Sequence, residues 1–339
     1  MNFNLSRIQF FLLLFIMQTG SSFFAFPSEF INVIGRDAWL VFLVAGIIHY
    51  LLLLIYERYY MRFTIGPFVG WLYKGYWLFV AVSFLAYIDY TLAVWGFPET
   101  PQIIVLSALV SVTLYANLSK AEKVINLPVI LIPLIFLFFI FMQFAWGDLI
   151  WTNIFPLFEA TGQEWFEGLL KAQIAFIGVE LYLFFRRHVD VKEKIKGIPL
   201  LVYQMTWFSF FFSSVIVTIL YFTLTRLQEI PEPILFMLKA QNVTFVERLD
   251  LFFLYIWMIW SIVTVAIFSF SAMYVHRLHA KEHHKRDTII WHVLLVLLPL
   301  LFVSKQYVDK MADLIIYVHL LFTILIPAIV IITNRRKGK

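Results

Sequence analysis

Apolar runs long enough to span a bilayer recur along the whole chain, separated by short polar segments. A helix needs about 20 apolar residues to cross a hydrocarbon core of roughly 30 Å. The runs are continuous rather than alternating, which favours transmembrane helices over the strands of a membrane barrel. The pattern therefore predicts an all-α integral membrane protein with about ten transmembrane helices. The predicted spans are Ile8–Phe30, Ala38–Tyr56, Gly75–Val94, Ile103–Ala116, Leu127–Phe144, Gly168–Phe185, Ile198–Leu224, Leu249–Tyr274, Ile289–Val303 and Leu314–Thr333.

The composition agrees with a membrane protein. Hydrophobic residues make up 62% of the 339 positions and charged residues 14%, whereas soluble domains have about 45–50% and about 25%. The formal net charge is +5, but the basic residues lie in the segments between the apolar runs, so we predict no nucleic-acid partner. The chain has no cysteine, which excludes disulfides, thiolate nucleophiles and cysteine-ligated metals.

The distribution of basic residues predicts the orientation in the membrane. Lys and Arg are enriched in cytoplasmic loops. With ten spans, 19 of the 26 Lys and Arg residues lie on the side of both termini and seven lie on the other side. Both termini and the loops Arg186–Gly197 and His276–Thr288 are therefore predicted to be cytoplasmic. Eight or twelve spans would destroy this alternation.

Two of the predicted spans are interrupted near mid-membrane by small or polar residues. The interruption is Gln18–Ser22 in the first span and Ile177–Glu180 in the sixth. Each half of the chain has five spans, so the sixth span enters from the side opposite to the first. Paired interruptions of this kind indicate the binding site of a transporter-type inverted repeat. We therefore divide the single membrane domain, residues 1–339, into a first repeat at 8–144 and a second repeat at 168–333.

Several short motifs resemble the spore germination permeases, the B subunits of bacterial germinant receptors. They are the opening Ser6-Arg7-Ile8-Gln9-Phe10, the break Gln18-Thr19-Gly20-Ser21, the segment Gly35-Arg36-Asp37-Ala38-Trp39, the second break Phe176-Ile177-Gly178-Val179-Glu180, and Glu247-Arg248-Leu249-Asp250 followed by Trp257. The resemblance covers nearly the whole chain.

This resemblance implies a fold, a location and a set of partners. The fold is the five-plus-five inverted repeat of the amino acid–polyamine–organocation superfamily (LeuT-like), in which helices one and six are broken. The location is the inner membrane of a spore, where the protein would work beside an A subunit and a lipoprotein C subunit. The implied ligand is a small nutrient, such as an amino acid.

The first interruption is a candidate site for an amino-acid carboxylate. Unpaired backbone N–H groups at a helix N-terminus attract anions, because they point along the helix dipole. If an outer half-helix begins at this interruption, its donors would be the amides of Gly20, Ser21 and Ser22, with Thr19 beside them. The alternative is that these small residues only permit close helix packing.

The second interruption is a candidate site for the ammonium group. The carbonyls of Phe176 and Ile177 would face it, next to Gly178 and Glu180. A charge at bilayer depth costs at least ~2.5 kcal/mol, so an intramembrane carboxylate is rarely idle. Glu180 could hold the ammonium, relay a proton or lock the unwound segment by accepting backbone N–H groups. Asp89 is the other carboxylate predicted well inside the membrane, and it could contact the ligand or reach an outer vestibule.

Two longer segments lie between predicted spans on the outer side. They are Ala145–Glu167, which is acidic and aromatic, and Arg226–Glu247, which contains Pro231-Glu232-Pro233. Both are too short for an independent hydrophobic core, which is hard to stabilise below about 40 residues. We therefore predict that they cover the outer vestibule.

The remaining candidate chemistry is weak. His279 and His283 have the spacing of metal ligands on a helix, but the Lys and Arg residues around them oppose a bound cation, so we predict no metal site. The sequence contains no phosphate-binding loop, dinucleotide-binding turn or hydrolase nucleophile motif. We therefore predict no enzymatic activity and no cofactor.

The sequence leaves three functions open. The first is a nutrient-binding subunit of a germinant receptor that triggers germination. The second is a secondary amino-acid transporter on the same fold. In some transporters of this superfamily a lysine in the fifth span replaces the bound sodium ion. The predicted fifth span Leu127–Phe144 has no lysine, which counts against ion-coupled transport without excluding it. The third is a structural scaffold with a vestigial cavity.

Overall fold

Most of the described chain is helical. The computed structural model describes residues 3–20, 23, 26–241, 247–279, 285–302 and 304–337. Within these residues the α-helices are α1 Arg7–Thr19, α2 Phe26–Ile34, α3 Ala38–Tyr59, α4 Pro67–Trp95, α5 Gln102–Leu118, α6 Ala121–Ile130, α7 Ile132–Phe144, α8 Gly162–Lys171, α9 Leu181–Phe185, α10 Ile198–Tyr221, α11 Leu224–Leu227, α12 Pro233–Lys239, α13 Leu249–His279, α14 Lys285–Leu297, α15 Lys305–Leu320 and α16 Ile326–Lys337.

Seven of the described helical segments are long and apolar enough to cross a membrane, some of them joining consecutive helices. They are Phe26–Arg62, Pro67–Trp95, Ala121–Asp148, Gly162–His188, Ile198–Tyr221, Leu249–His279 and Lys305–Asn334. The helices α1 and α5 are also apolar but shorter, with 13 and 17 residues. The protein is therefore all-helical in its described part, as the apolar runs predict, and its composition fits a multi-pass membrane protein.

Both predicted interruptions are breaks in the helical backbone. Helix α1 ends at Thr19, and the next helix begins only at Phe26. In the sixth predicted span, α8 passes into a 3₁₀ turn over Ala172–Phe176, and α9 begins at Leu181 after a non-helical segment. Gly20 and Gly178 lie at these two breaks.

Two further predicted spans are segmented although their apolar runs are continuous. In the fifth span α6 and α7 meet at Leu131, between Pro128 and Pro133, because proline cannot donate a helical hydrogen bond. In the tenth span a π-helical turn, Leu321–Leu325, separates α15 from α16. The carbonyl of Phe322 in this turn accepts a hydrogen bond from the Tyr73 hydroxyl at 2.8 Å.

Helix α13 lies at the centre of the helix packing, against α1, α4, α5 and α6. It is the longest of the described helices, and its buried residues run from Leu249 to Val275. Trp257 and Trp260 are among the largest fully buried side chains. Because α13 packs along α1 and α4, its polar residues reach the first helix break.

The side that the charge count assigns to the cytoplasm is closed by contacts between the two halves of the chain. An isolated parallel β-bridge pairs Leu5 with Val189. Nearby, Arg186 binds Glu57 through two hydrogen bonds of 2.7 and 3.0 Å, and the Tyr182 hydroxyl donates to the same carboxylate at 2.7 Å. These contacts hold α9 and the following loop against the end of α3.

Candidate functional site

The two helix breaks are in direct contact. Gly178 has φ = +103°, a left-handed conformation that glycine adopts without steric cost. A Cβ atom at Gly178 would lie 2.9 Å from the Cβ of Met17, near the end of α1. The backbone of the second break therefore packs against the first, and position 178 has no room for a side chain.

Glu180 is bonded to the second break rather than facing open space. It is fully buried, and its Oε2 accepts the backbone N–H of Gly178 at 3.0 Å. Its Oε1 accepts the indole N–H of Trp77 in α4, also at 3.0 Å. Of the three roles open for Glu180, this geometry favours the backbone lock.

The first break is held by hydroxyl groups of α13. The Ser261 hydroxyl donates to the carbonyl of Gly20 at 2.7 Å, and the Thr264 hydroxyl donates to the carbonyl of Ile16 at 3.0 Å. A Cβ atom at Gly20 would lie 1.8 Å from the Thr264 Oγ1. Neither partner was predicted from the sequence, although small hydroxyl residues in a long apolar helix are a known signal for helix contacts.

Gly20 differs from the expectation for an anion site. Its N–H donates to the carbonyl of Ile16 at 2.9 Å, so it completes the last turn of α1 instead of opening the outer half-helix, which begins at Phe26. The Thr19 hydroxyl likewise donates to the carbonyl of Phe15 at 2.7 Å. The other two predicted donors, Ser21 and Ser22, lie outside the described residues.

The carbonyl of Phe176 also has internal partners. It accepts the N–H of Val179 at 2.9 Å and lies 3.5 Å from the side-chain amide nitrogen of Gln18. Ile177 is buried, and it lines the cavity described below. The structure thus brings Phe176, Ile177, Gly178 and Glu180 together beside the first break.

A buried polar network that was not predicted from the sequence joins α1, α3 and α10. His49 lies with its Nε2 2.8 Å from the amide nitrogen of Gln18 and its Nδ1 2.6 Å from the amide oxygen of Gln204. This pattern fits a neutral imidazole that donates through Nδ1 and accepts through Nε2. The Tyr203 hydroxyl donates to Gln18, and the His49 ring stacks on Trp207 at 4.0 Å. The network ties the end of α1 to its neighbours.

A cavity of about 290 Å³ opens beside the two breaks, on the side that the charge count assigns to the exterior. Phe26 lines it just after the first break, and Ile174 and Ile177 line it at the second. Ligand pockets typically have about 300–1,000 Å³, so this cavity suits a small molecule. The segment Leu227–Glu232 contributes to the wall, which fits the expectation that residues 226–247 cover a vestibule.

Asp89 is not brought to this cavity. Ser83, Tyr87 and Tyr90 line the cavity from one face of α4, whereas Asp89 lies on a different face of the helix. Its side chain is buried, with 5% of the residue exposed, and its Oδ1 has no hydrogen-bond partner within the described residues. Asp89 and the cavity are therefore separate features.

The acidic segment after α7 is anchored by Asp37, which belongs to the motif Gly35-Arg36-Asp37-Ala38-Trp39. Both carboxylate oxygens of Asp37 accept backbone N–H groups, one from Phe158 at 2.6 Å and one from Ala160 at 2.9 Å. The neighbouring Arg36 donates to the carbonyls of Ile219 and Phe222 at 2.6 and 3.1 Å. These two residues hold outer segments in place and do not line the cavity.

No cluster of three or more metal-ligating side chains occurs in the part of the chain that the structure describes. His283, the partner of His279 in the spacing of metal ligands, lies outside that part. In the described part, His319 contacts the Tyr76 hydroxyl at 3.0 Å, and His292 lies 2.7 Å from the carbonyl of Thr288. His319 and His292 have the bonding of core residues.

Comparison with known proteins gives a match over nearly the whole chain. A family model described as spore germination protein matches residues 4–313, which include both helix breaks and most of the cavity wall. A search of curated proteins finds no match.

Proposed function

The chain belongs to the spore germination permease family, and on this premise we propose that it is a nutrient-binding subunit of a spore germinant receptor. Its ligand would be a small nutrient, most simply an amino acid, bound beside the two broken helices. Its output would be a conformational signal that triggers germination, passed to an A subunit and a C subunit.

One observation supports this proposal above the others: two broken helices meet beneath a small cavity. Gly178 lies against Met17, and Phe26 and Ile177, next to the two breaks, line the cavity wall. Broken helices that meet at the repeat interface are the usual substrate site of transporter-type folds. A ligand in the cavity would thus touch both repeats at once.

The proposed architecture has ten spans in two inverted repeats, residues 8–144 and 168–333, with both termini in the cytoplasm of the spore inner membrane. It combines the seven long apolar segments with the shorter helices α1, α5 and α14. In this arrangement α1 and α2 form the broken first span, and α8 and α9 form the broken sixth span.

The closed side and the open cavity support a two-state mechanism. In the proposed orientation the cavity opens to the outer side, and the Glu57–Arg186 pair and the Leu5–Val189 bridge lie on the opposite, cytoplasmic side. A ligand shifts such an equilibrium only by its differential affinity for the two states. Nutrient that binds between the breaks would therefore act by favouring one arrangement of the two repeats.

The experiment that tests the proposal alters the contact between the breaks. Gly178→Ala adds a Cβ against Met17 and strains a backbone with φ = +103°. Gly197→Ala is the matched control, because Gly197 has φ = +83° but a Cβ added there would meet no atom within 4 Å. Spores that carry each variant are assayed for germination across a concentration series of single amino acids.

We expect Gly178→Ala to shift the nutrient dose response strongly, whereas Gly197→Ala keeps the parental response at similar protein abundance. An unchanged response in Gly178→Ala spores, with normal abundance, would remove the broken helices from the proposed site. Germination that does not depend on this chain for any nutrient would contradict the receptor role itself.

Transport is the second candidate, because a cavity open to one side also suits alternating access. Uptake of radiolabelled amino acids into proteoliposomes distinguishes the two functions. Concentrative uptake by the purified chain would favour a transporter, and binding without flux would favour a sensor. A thermal shift on addition of nutrient would count against a purely structural scaffold.

A further inference from the structure

The outer cavity carries an excess of negative charge. Four carboxylates and two lysines line it: Glu29, Glu232, Asp309, Asp313, Lys171 and Lys305. Lys171 forms ion pairs with two of these carboxylates, because its Nζ lies 2.7 Å from Asp313 and 3.7 Å from Glu29. The other two carboxylates, Glu232 and Asp309, share the cavity with only one further lysine, Lys305, so negative charge is in excess.

Glu29 and Glu232 each have a buried carboxylate oxygen without a hydrogen bond within the described residues, but the oxygen of Glu29 lies 3.7 Å from the Lys171 Nζ, whereas that of Glu232 is in no described ion pair. Glu232 is 1% exposed, and its Oε2 accepts the indole N–H of Trp95 at 3.3 Å. Its Oε1 is buried and has no hydrogen-bond partner within the described residues. Burial raises the pKa of Glu232, against the smaller opposing effects of Trp95 and of the Lys305 charge. A buried carboxylate oxygen without a partner is costly, so it provides a strong acceptor for an incoming donor.

Apart from the charged residues, the cavity is lined mostly by apolar or aromatic side chains, together with the polar residues Ser28, Asn32, Ser83 and Gln228. Phe26, Phe84 and Ile177 lie on one part of the wall, with the rings of Tyr87 and Tyr90 nearby. Such a surface suits an organic group better than a hydrated metal ion, and aromatic faces also attract cations. No set of three metal-ligating side chains is found among the described residues. The cavity therefore combines the unpaired carboxylate oxygen of Glu232 with a small, largely apolar volume.

We propose that this cavity is an outer subsite for the ammonium group of a small organic amine, with Glu232 as its counter-ion. The subsite is the part of the cavity around Glu232, so an amine held there would lie in the same cavity that Phe26 and Ile177 line beside the helix breaks. The proposal rests on the nutrient-binding function and refines it by naming the chemical class of the ligand. Its physical test does not require germination.

The test uses the full-length chain in lipid nanodiscs, with propylammonium chloride as the probe and 1-propanol as its uncharged counterpart. Binding is measured by calorimetry and by the thermal shift. Glu232→Gln removes the charge at constant size, and Glu232→Asp keeps the charge on a shorter side chain. Glu229→Gln is the matched control, because Glu229 is an exposed carboxylate in the same segment and does not line the cavity.

We expect the parent to bind propylammonium and not 1-propanol. Glu232→Gln should weaken binding by roughly tenfold or more, since it replaces a charge-assisted hydrogen bond. Glu232→Asp should retain part of the affinity, and Glu229→Gln should bind as the parent does. Glu232→Gln removes a buried charge, so it should fold at least as stably as the parent.

Three results would overturn the subsite: no propylammonium binding by the parent, equal binding by parent and Glu232→Gln, or binding of calcium chloride in its place. The outcome is separable from that of the receptor proposal. If Glu232→Gln has no effect while Gly178→Ala abolishes the nutrient response, the subsite fails and the receptor role stands. If amine binding depends on Glu232 but germination never depends on the chain, the receptor role fails and the subsite stands.

Discussion

Trp77 and Glu180 are joined across the two halves of the chain by a hydrogen bond of 3.0 Å, which the indole N–H donates to the carboxylate. The second carboxylate oxygen accepts the N–H of Gly178 at the same distance. One side chain therefore links α4 to the unwound backbone of the second break. This linkage fixes the break in a fully buried position, where an unpaired N–H group would cost about 1–3 kcal/mol.

The first prediction concerns the two bonds of Glu180. Both partners are N–H donors, so a glutamine can accept from only one of them and presents its own NH₂ group to the other. We expect Glu180→Gln to lower thermal stability moderately and Glu180→Ala to lower it more, with reduced protein abundance. The measurement is the melting temperature of the detergent-solubilised protein, followed by size-exclusion chromatography.

Trp77→Phe should reproduce part of the Glu180→Gln effect, because it removes one of the two donors. Trp71→Phe is its control on the same helix, since Trp71 is 65% exposed. Parental stability and nutrient response in both Glu180 variants would mean that the carboxylate does not lock the break. If Glu180→Gln and Glu180→Ala lose the nutrient response to the same extent while their stability is normal, Glu180 instead binds the ammonium group of the ligand.

The second prediction concerns the contact between α1 and α13. Gly20→Ala places a Cβ 1.8 Å from the Thr264 Oγ1, so the helices must separate, at a cost of about 1–3 kcal/mol. Gly75→Ala is the control, because a Cβ there meets no atom within 4 Å. We expect a lower melting temperature for the first variant only. Adding Thr264→Ala should restore part of the loss, because it removes the closest atom, and the absence of any such coupling would contradict the contact.

The third prediction concerns the ion pair between Glu57 and Arg186, on the side that the charge count assigns to the cytoplasm. The side chains of Glu57 and Arg186 are 9% and 12% exposed. Removing one partner of a buried ion pair typically costs about 3–5 kcal/mol, because the other charge is left unpaired. Glu57→Gln and Arg186→Gln should each lower the melting temperature. The double variant should lose less stability than the two single losses added together. Strictly additive losses would argue against the pair.

The fourth prediction concerns orientation. The chain has no natural cysteine, so single cysteines introduced at Lys192 and Glu229, both exposed positions, report on opposite sides of the membrane. A membrane-impermeant maleimide should label position 229 from outside and position 192 only after permeabilisation. Labelling of position 192 in intact cells or oriented vesicles would rule out the ten-span arrangement.

The fifth prediction concerns the pH dependence of amine binding. Burial raises the pKa of Glu232 above the usual glutamate value. Charged groups that face it are Lys305 and Asp309 from α15, and Glu29 from α2 lines the same cavity. Amine binding needs the ionised carboxylate, so affinity should fall as the pH falls through this raised pKa. The Glu232→Gln variant should lack that step, and an identical pH profile in both proteins would exclude Glu232 as the counter-ion.

The raised pKa of Glu232 also predicts how the protein's folding stability depends on pH. A carboxyl group that binds its proton more tightly in the folded state contributes stability below its unfolded pKa, and this contribution is lost as the pH rises through the folded pKa. With no amine bound, Glu232 therefore contributes less to stability as the pH rises past its unfolded pKa. We expect Glu232→Gln to melt at the same temperature as the ligand-free parent or higher, measured at pH 7.

The sequence by itself determined the apolar helical segments and the positions of both breaks. Apolar length follows from the thickness of the bilayer. The second break has a local origin in the left-handed backbone conformation of Gly178, which glycine adopts without steric cost. The interruption of the fifth predicted span at Pro128 and Pro133 is also local in origin, but it was not predicted because the apolar run there is continuous. The π-helical turn Leu321–Leu325 in the last predicted span has no clear signal in the sequence.

Only the tertiary structure decided what satisfies the broken backbone and what faces the cavity. The carbonyl of Gly20 is bound by Ser261, which is 241 positions away, and the partner of Glu180 is Trp77, 103 positions away. The sequence can mark a costly buried group such as Glu180, but not the donor that compensates it. Glu232 was overlooked for the same reason, because its burial comes from the packing of α4 and α15 around a loop. A residue's local preferences depend on its neighbours in the chain, whereas hydrogen-bond partners and burial depend on helices that meet only after folding.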